Sequence, residues 1–190
     1  MNTGRNTGQF FNPNTRRRPA PPALPEPSVP ARPEIAVCGP NLIFARMMLD
    51  NAYGCTSAQT FLTSYMYNGV LCHCLNAEAS EIFMEAVKCE MLHLETFLKL
   101  AHKLGEDPRA WSRRGSRRVW WSPSFVKYCP NLCAALKNAV CAEKRAIAKY
   151  ESQLSKIDDE NVCAVLRCII EDKRRQERCF TELCERCCEV

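Results

Sequence analysis

The stretch FMEAVKCEMLHLETFLKLAHKL, Phe83 to Leu104, decides the fold. Apolar residues recur at Phe83, Ala86, Phe97, Leu100 and Leu104 in steps of three and four, the mark of one buried face of a long helix. The same rhythm carried on from Ala86 lands on Glu90 and then on His93. A carboxylate and an imidazole therefore occupy positions where an apolar side chain would pack best. Burying a charge without a partner costs several kcal/mol, on the scale of a whole domain's stability margin. Other parts of the chain must supply groups that face them.

Outward from this helix, its ends are readable. Asn76 is a suitable N-cap, with Glu78 and Glu81 near the positive end of the helix dipole, and Leu104-Gly105 followed by Pro108 closes it. Before it, Asn41 to about Leu75 carries a first helical pattern, with Phe44, Met48, Ala52, Ala58, Tyr65 and Cys72 on one face. Glu106 to Tyr128 has no period and holds Arg109, Arg113, Arg114, Arg117, Arg118 and Lys127 beside Trp111, Trp120 and Trp121. A connection of that length can return along a bundle and join two parallel helices. Tryptophans in such a loop commonly pin it to the bundle with arginines lying over them; nucleic-acid binding is the less favoured reading.

Pro130-Asn131 opens a third helix, with Leu132, Leu136, Ala139, Glu143, Ile147, Tyr150 and Leu154 in its stripe. Asp158 is expected to cap the turn into a fourth, whose stripe runs Val162, Leu166, Ile169, Lys173, Gln176, Phe180, Leu183 and Cys187. Four helices of about 25 residues, roughly 40 Å each at 1.5 Å per residue, with short outer links and one long central link, describe a four-helix bundle with a crossover. The residues expected at mid-height are Ala58, Glu90, His93, Glu143, Lys173 and Gln176.

This arrangement resembles the ferritin-like di-metal carboxylate proteins, and within them the rubrerythrin-like domains of bacteria. The resemblance rests on Val87-Lys88-Cys89-Glu90-Met91-Leu92-His93-Leu94-Glu95 with its Leu104-Gly105-Glu106-Asp107-Pro108-Arg109 exit. It rests also on Trp120-Trp121-Ser122-Pro123-Ser124-Phe125 and on Ala142-Glu143-Lys144-Arg145-Ala146-Ile147-Ala148-Lys149-Tyr150. It covers about residues 40 to 185. In that family two helices each give a Glu and two give Glu-x-x-His, all facing inward on two metal ions. Carried over, Glu90, His93 and Glu143 match ligands of the second and third helices. Ala58 stands where the first-helix Glu is expected, and Lys173 and Gln176 stand where the fourth helix should give Glu and His. Glu171 and Asp172 fall off the stripe and are set aside.

The resemblance thus implies a degenerate centre. Lys173 is expected to bridge Glu90 and Glu143, with Gln176 bonding the group left over. No cofactor is the leading expectation; one iron, manganese or zinc ion on Glu90, His93 and Glu143 is the alternative. The fold class expected is all-α, a ferritin-like bundle with one long crossover over residues 39–190, behind a disordered Pro/Arg-rich tail over residues 1–38. That tail holds eight prolines between Pro13 and Pro33 and five arginines against two glutamates. The function expected is a non-catalytic scaffold or binding module. The first rival is a metal-dependent oxidoreductase acting on peroxide or oxygen, and the second a cysteine-rich coat-type structural protein.

The remaining features are read conservatively. Most of the 14 cysteines fall at helical spacing, as small hydrophobes do in a reducing cytosol. Cys184, Cys187 and Cys188 lack an obvious second pair for a zinc knuckle, since Cys72 and Cys74 are poorly spaced. His73 and His102 lie beside the stripes, and Tyr65 and Tyr150 are expected in the core with their hydroxyls satisfied. No apolar run reaches the roughly 18 residues of a membrane span and no h-region follows the N-terminal arginines, so a cytoplasmic protein is expected. A homodimer of side-by-side bundles, or another homo-oligomer, is the partner expectation. No Gly-rich phosphate loop and no Ser/His/Asp set is present.

Overall fold

A computed structural model describes residues 32–188. The expected tail therefore lies, apart from residues 32–38, outside the described residues. Residues 32–38 run extended along the bundle: Ile35 and Val37 pack against the core, and Arg32 pairs with Asp172 at 3.0 Å.

The first helical pattern is broken in two, where one continuous helix was expected. Helix α1 spans Leu42–Tyr53 and helix α2 spans Ala58–Cys72. Asn41 opens α1 by accepting from the backbone of Ile43 and Phe44. Gly54 stops it with extended backbone, its N–H donating to the Asp50 carbonyl. A Cβ at Gly54 would lie 2.6 Å from that carbonyl oxygen, so glycine is required by the close approach. Ser57 then caps α2 through the Thr60 N–H. The apolar stripe is shared by both helices, which is why periodicity alone reads through the break.

Helix α3 spans Ala77–Lys103 with Asn76 as its N-cap, and Gly105 leaves it at φ 101°. The long connection carries an antiparallel hairpin that the aperiodic sequence did not announce. Strands β1 (Trp111–Arg114) and β2 (Arg117–Trp120) pair Trp111 with Trp120 and Arg114 with Arg117, around a turn with Gly115 at φ 62°. Trp111 is buried against the bundle, with the Arg118 guanidinium 4.1 Å from its ring centroid. The Trp121 indole N–H donates to Thr60 Oγ1 at 3.0 Å. The connection is pinned as expected, by two of the three tryptophans; Trp120 is exposed.

Helix α4 spans Leu132–Leu154 behind the Asn131 cap, and helix α5 spans Glu160–Cys187. The cap of α5 is Asp159, not Asp158, because its carboxylate reaches the Asn161 and Val162 N–H groups. The same carboxylate accepts from the Cys38 backbone at 2.7 Å, tying the extended segment to the start of α5. Helices α1 and α2 line α3, α4 lines α5, and the two layers meet over Phe83, Phe97, Leu136, Leu166 and Phe180, all fully buried. Cys133 and Cys188 form a disulfide joining the start of α4 to the end of α5, so the C-terminal cysteine group is not wholly reduced. Among the described residues no helix is long and apolar enough to cross a membrane.

Candidate functional site

Halfway along the bundle, α3, α4 and α5 bring Glu90, His93, Glu143 and Lys173 inside, each with 0% exposure. Ala58, the first residue of α2, is buried too, but α2 reaches this centre through Phe61 and Tyr65. The inward lysine lies between the two carboxylates. Lys173 Nζ is 2.5 Å from Glu90 Oε1 and 3.1 Å from Glu143 Oε2, and it sits 4.4 Å from the Phe61 ring centroid. The Tyr65 hydroxyl donates to Glu143 Oε1 at 2.5 Å. Two groups from two other helices, Lys173 on α5 and Tyr65 on α2, thus serve Glu143. Charge-assisted bonds of this length are the strong ones, and in a dry core they hold only when complete.

Gln176 does not join them. Its amide donates to the Ala86 carbonyl at 3.5 Å and its oxygen is unpartnered, as is Glu90 Oε2 among the described residues. The Tyr150 hydroxyl, expected to be satisfied, also lacks a partner there. His73 and His102 are exposed, as their positions beside the stripes implied.

The electrostatics follow from burial set against partners. Burial pushes the Glu90 carboxyl up, but the Lys173 ammonium and then His93 outweigh it and bring the group below its ordinary value. Burial dominates at Glu143, where Lys173 opposes it and the Glu90 charge adds to it, so that carboxyl is raised. Burial works against the Lys173 ammonium, yet Glu143 and Glu90 keep it above the usual lysine value. Burial likewise opposes charge on His93, and Glu90 and Asp172 overcome it, lifting the imidazole well above its ordinary value.

His93 uses its two nitrogens differently. Nδ1 lies 3.5 Å from Glu90 Oε1, while Nε2 lies 3.0 Å from Asp172 Oδ2 and 3.4 Å from Cys89 Sγ. Asp172 was set aside in the sequence as off the stripe. The structure buries it beside Lys173, because α5 is covered on a face wide enough for adjacent pairs: Val162 with Cys163, Val165 with Leu166, Ile169 with Ile170. Those apolar pairs were the legible signal that Asp172 also points inward. Cys89 lies one turn before His93 on the same face of α3, a spacing the sequence displayed without marking it as chemistry.

An ion bound to both Glu90 and Glu143 at about 2 Å per ligand bond would share its space with the Lys173 ammonium already bonded to them. From α2 the centre receives the Phe61 ring and the Tyr65 hydroxyl, not a carboxylate.

No protein family matches the sequence, and no curated protein matches it. Solved structures do match the fold. The chain is similar to KatB, a manganese catalase from Anabaena, with TM-score 0.72 and 17% identity over 80% of this chain and 75% of that one. A structure of wild-type KatB, a manganese catalase from Anabaena, gives TM-score 0.73 and 17% identity over 93% of this chain and 80% of that one. Likeness at this identity establishes the ferritin-like bundle and nothing finer.

Proposed function

We propose that this chain is a ferritin-like bundle whose centre is held by an organic cation, serving as a scaffold or binding module and not as a di-metal enzyme. The observation that carries this reading is Lys173 Nζ within bonding distance of both Glu90 and Glu143. A charge that once attracted metal ions is replaced by one that repels them. The test is oxygen release from hydrogen peroxide after loading the reduced full chain with manganese or iron. No turnover above the unloaded protein is expected; turnover lost on Glu143→Gln would overturn the proposal.

The second reading is a metal-dependent oxidoreductase acting on peroxide or oxygen. The fold likeness to a manganese catalase favours it over the scaffold when the comparisons are taken alone. On that reading Glu90, His93 and Glu143 hold one iron, manganese or zinc ion, and the Lys173 ammonium must move away from both carboxylates. A homodimer belongs to either reading. Exposed Met66, Val70 and Leu71 on α2 give such a contact an apolar face. A cysteine-linked coat-type role draws support from Cys38, Cys55, Cys74, Cys141 and Cys179, which are exposed free thiols. Higher bands on non-reducing gels would favour it.

A further inference from the structure

Outside the lysine-centred network, three donors from two helices converge on one point. Cys89 Sγ, His93 Nε2 and Asp172 Oδ2 lie within 4.8 Å of one another. We propose that they form a mononuclear binding site for zinc or a similar thiolate-seeking divalent ion, separate from the Glu90/Glu143 centre.

The geometry separates this from a nucleophilic cysteine site. In a relay the histidine turns one nitrogen to the nucleophile and the other to the orienting carboxylate. Here the thiol and the Asp172 carboxylate face the same nitrogen, at 3.4 Å and 3.0 Å. A shared nitrogen is what a common ion requires. A tetrahedral zinc site has neighbouring ligand atoms roughly 3.3–3.6 Å apart, given metal–ligand bonds near 2.0–2.3 Å. The remaining nitrogen, Nδ1, faces Glu90 Oε1 at 3.5 Å. A carboxylate on that side of the ring is where metal-bound imidazoles find their outer partner.

The charge and the surroundings suit such an ion. A thiolate and a carboxylate neutralise a dication, and one soft ligand with one imidazole selects zinc over magnesium or calcium. Arg175 holds the other Asp172 oxygen, Oδ1, from one turn further along α5. Arg32 reaches Oδ2 at 3.0 Å from the extended segment, is 38% exposed, and must give up that oxygen to a bound ion. Cys89 and Asp172 both line a groove of about 460 Å³ between α3 and α5, walled by Ile82, Ala86, Gln176 and Phe180. Three protein ligands leave a fourth position, and it opens toward that groove. Open sites of this composition take water or a small ligand there.

The test uses the full chain kept reduced, titrated with cobalt(II) as a zinc surrogate against a competing chelator. One ion per chain with a thiolate-to-cobalt charge-transfer band is expected. Cys89→Ser should abolish the band and weaken binding more than tenfold, and Asp172→Asn should weaken binding without restoring the band elsewhere. Cys179→Ser, in the same groove but outside the cluster, and Glu143→Gln, in the bundle centre, should keep both band and stoichiometry. Unchanged circular dichroism in Cys89→Ser ensures that a loss reports ligation. A band that survives Cys89→Ser, or no binding by the parent, overturns the site. A second ion lost only in Glu143→Gln would overturn the metal-free centre while leaving this site intact.

Discussion

Removing the Lys173 ammonium leaves Glu90 and Glu143 facing each other where neither is exposed to solvent. Lys173→Met should therefore destabilise the fold by about 3–5 kcal/mol, the usual cost of breaking one side of a buried ion pair. Replacing all three groups with apolar residues should recover most of that, because a buried ion network need not beat well-packed hydrocarbon. Urea unfolding of both variants checks this; a Lys173→Met protein as stable as the parent would mean that the ammonium reaches solvent. At this scale the sequence displayed the lysine and both carboxylates, since each falls on a strict stripe. It did not display Gln176's true partner, Ala86, because an amide at stripe height can turn either way. Asp172 was missed because one period was read where α5 buries two adjacent rows.

Caps and breaks decide the elements. Gly54→Ala should cost about 1–3 kcal/mol in thermal or denaturant unfolding, since its Cβ would press on the Asp50 carbonyl. Asp159 ties two elements together, accepting from Cys38, Asn161 and Val162. Burial raises its carboxyl, but the backbone N–H groups of Cys38 and Val162 outweigh that and hold it below the ordinary value. Its folded value lies below its unfolded one, so its contribution is complete above about pH 4 and fades as pH falls through the folded value. Asp159→Asn should flatten that part of the acid unfolding curve, an outcome read by fluorescence or circular dichroism against pH. Helix α3 was legible because cap, period and terminator agree, and α4 and α5 were legible by their period, the α5 cap being Asp159 and not Asp158. The α1–α2 break was not, since Gly54 and Ser57 interrupt the backbone without interrupting the apolar face. The hairpin escaped notice because four-residue strands of arginine and tryptophan show no alternation to read.

Across the whole molecule, the order of elements follows from lengths and links, and the ferritin-like bundle is the result. The Cys133–Cys188 disulfide, closing 55 residues, was not legible, because helical spacing looks the same for a packed thiol and a bonded one. On a chain-entropy estimate its reduction should lower stability by about 4 kcal/mol. Denaturant midpoints with and without reductant, in parent and Cys133→Ser, give the comparison: the parent should shift and the variant should not. The central claim concerns what neutralises Glu90 and Glu143, and ions per chain test it most directly. Elemental analysis would be made on protein produced anaerobically with added iron and manganese, beside a Glu90→Ala/Glu143→Ala variant. The same iron and manganese content in both, with none that depends on Glu90 and Glu143, is the expected result. About two ions per chain in the parent, lost in the variant, would contradict it and restore a di-metal centre.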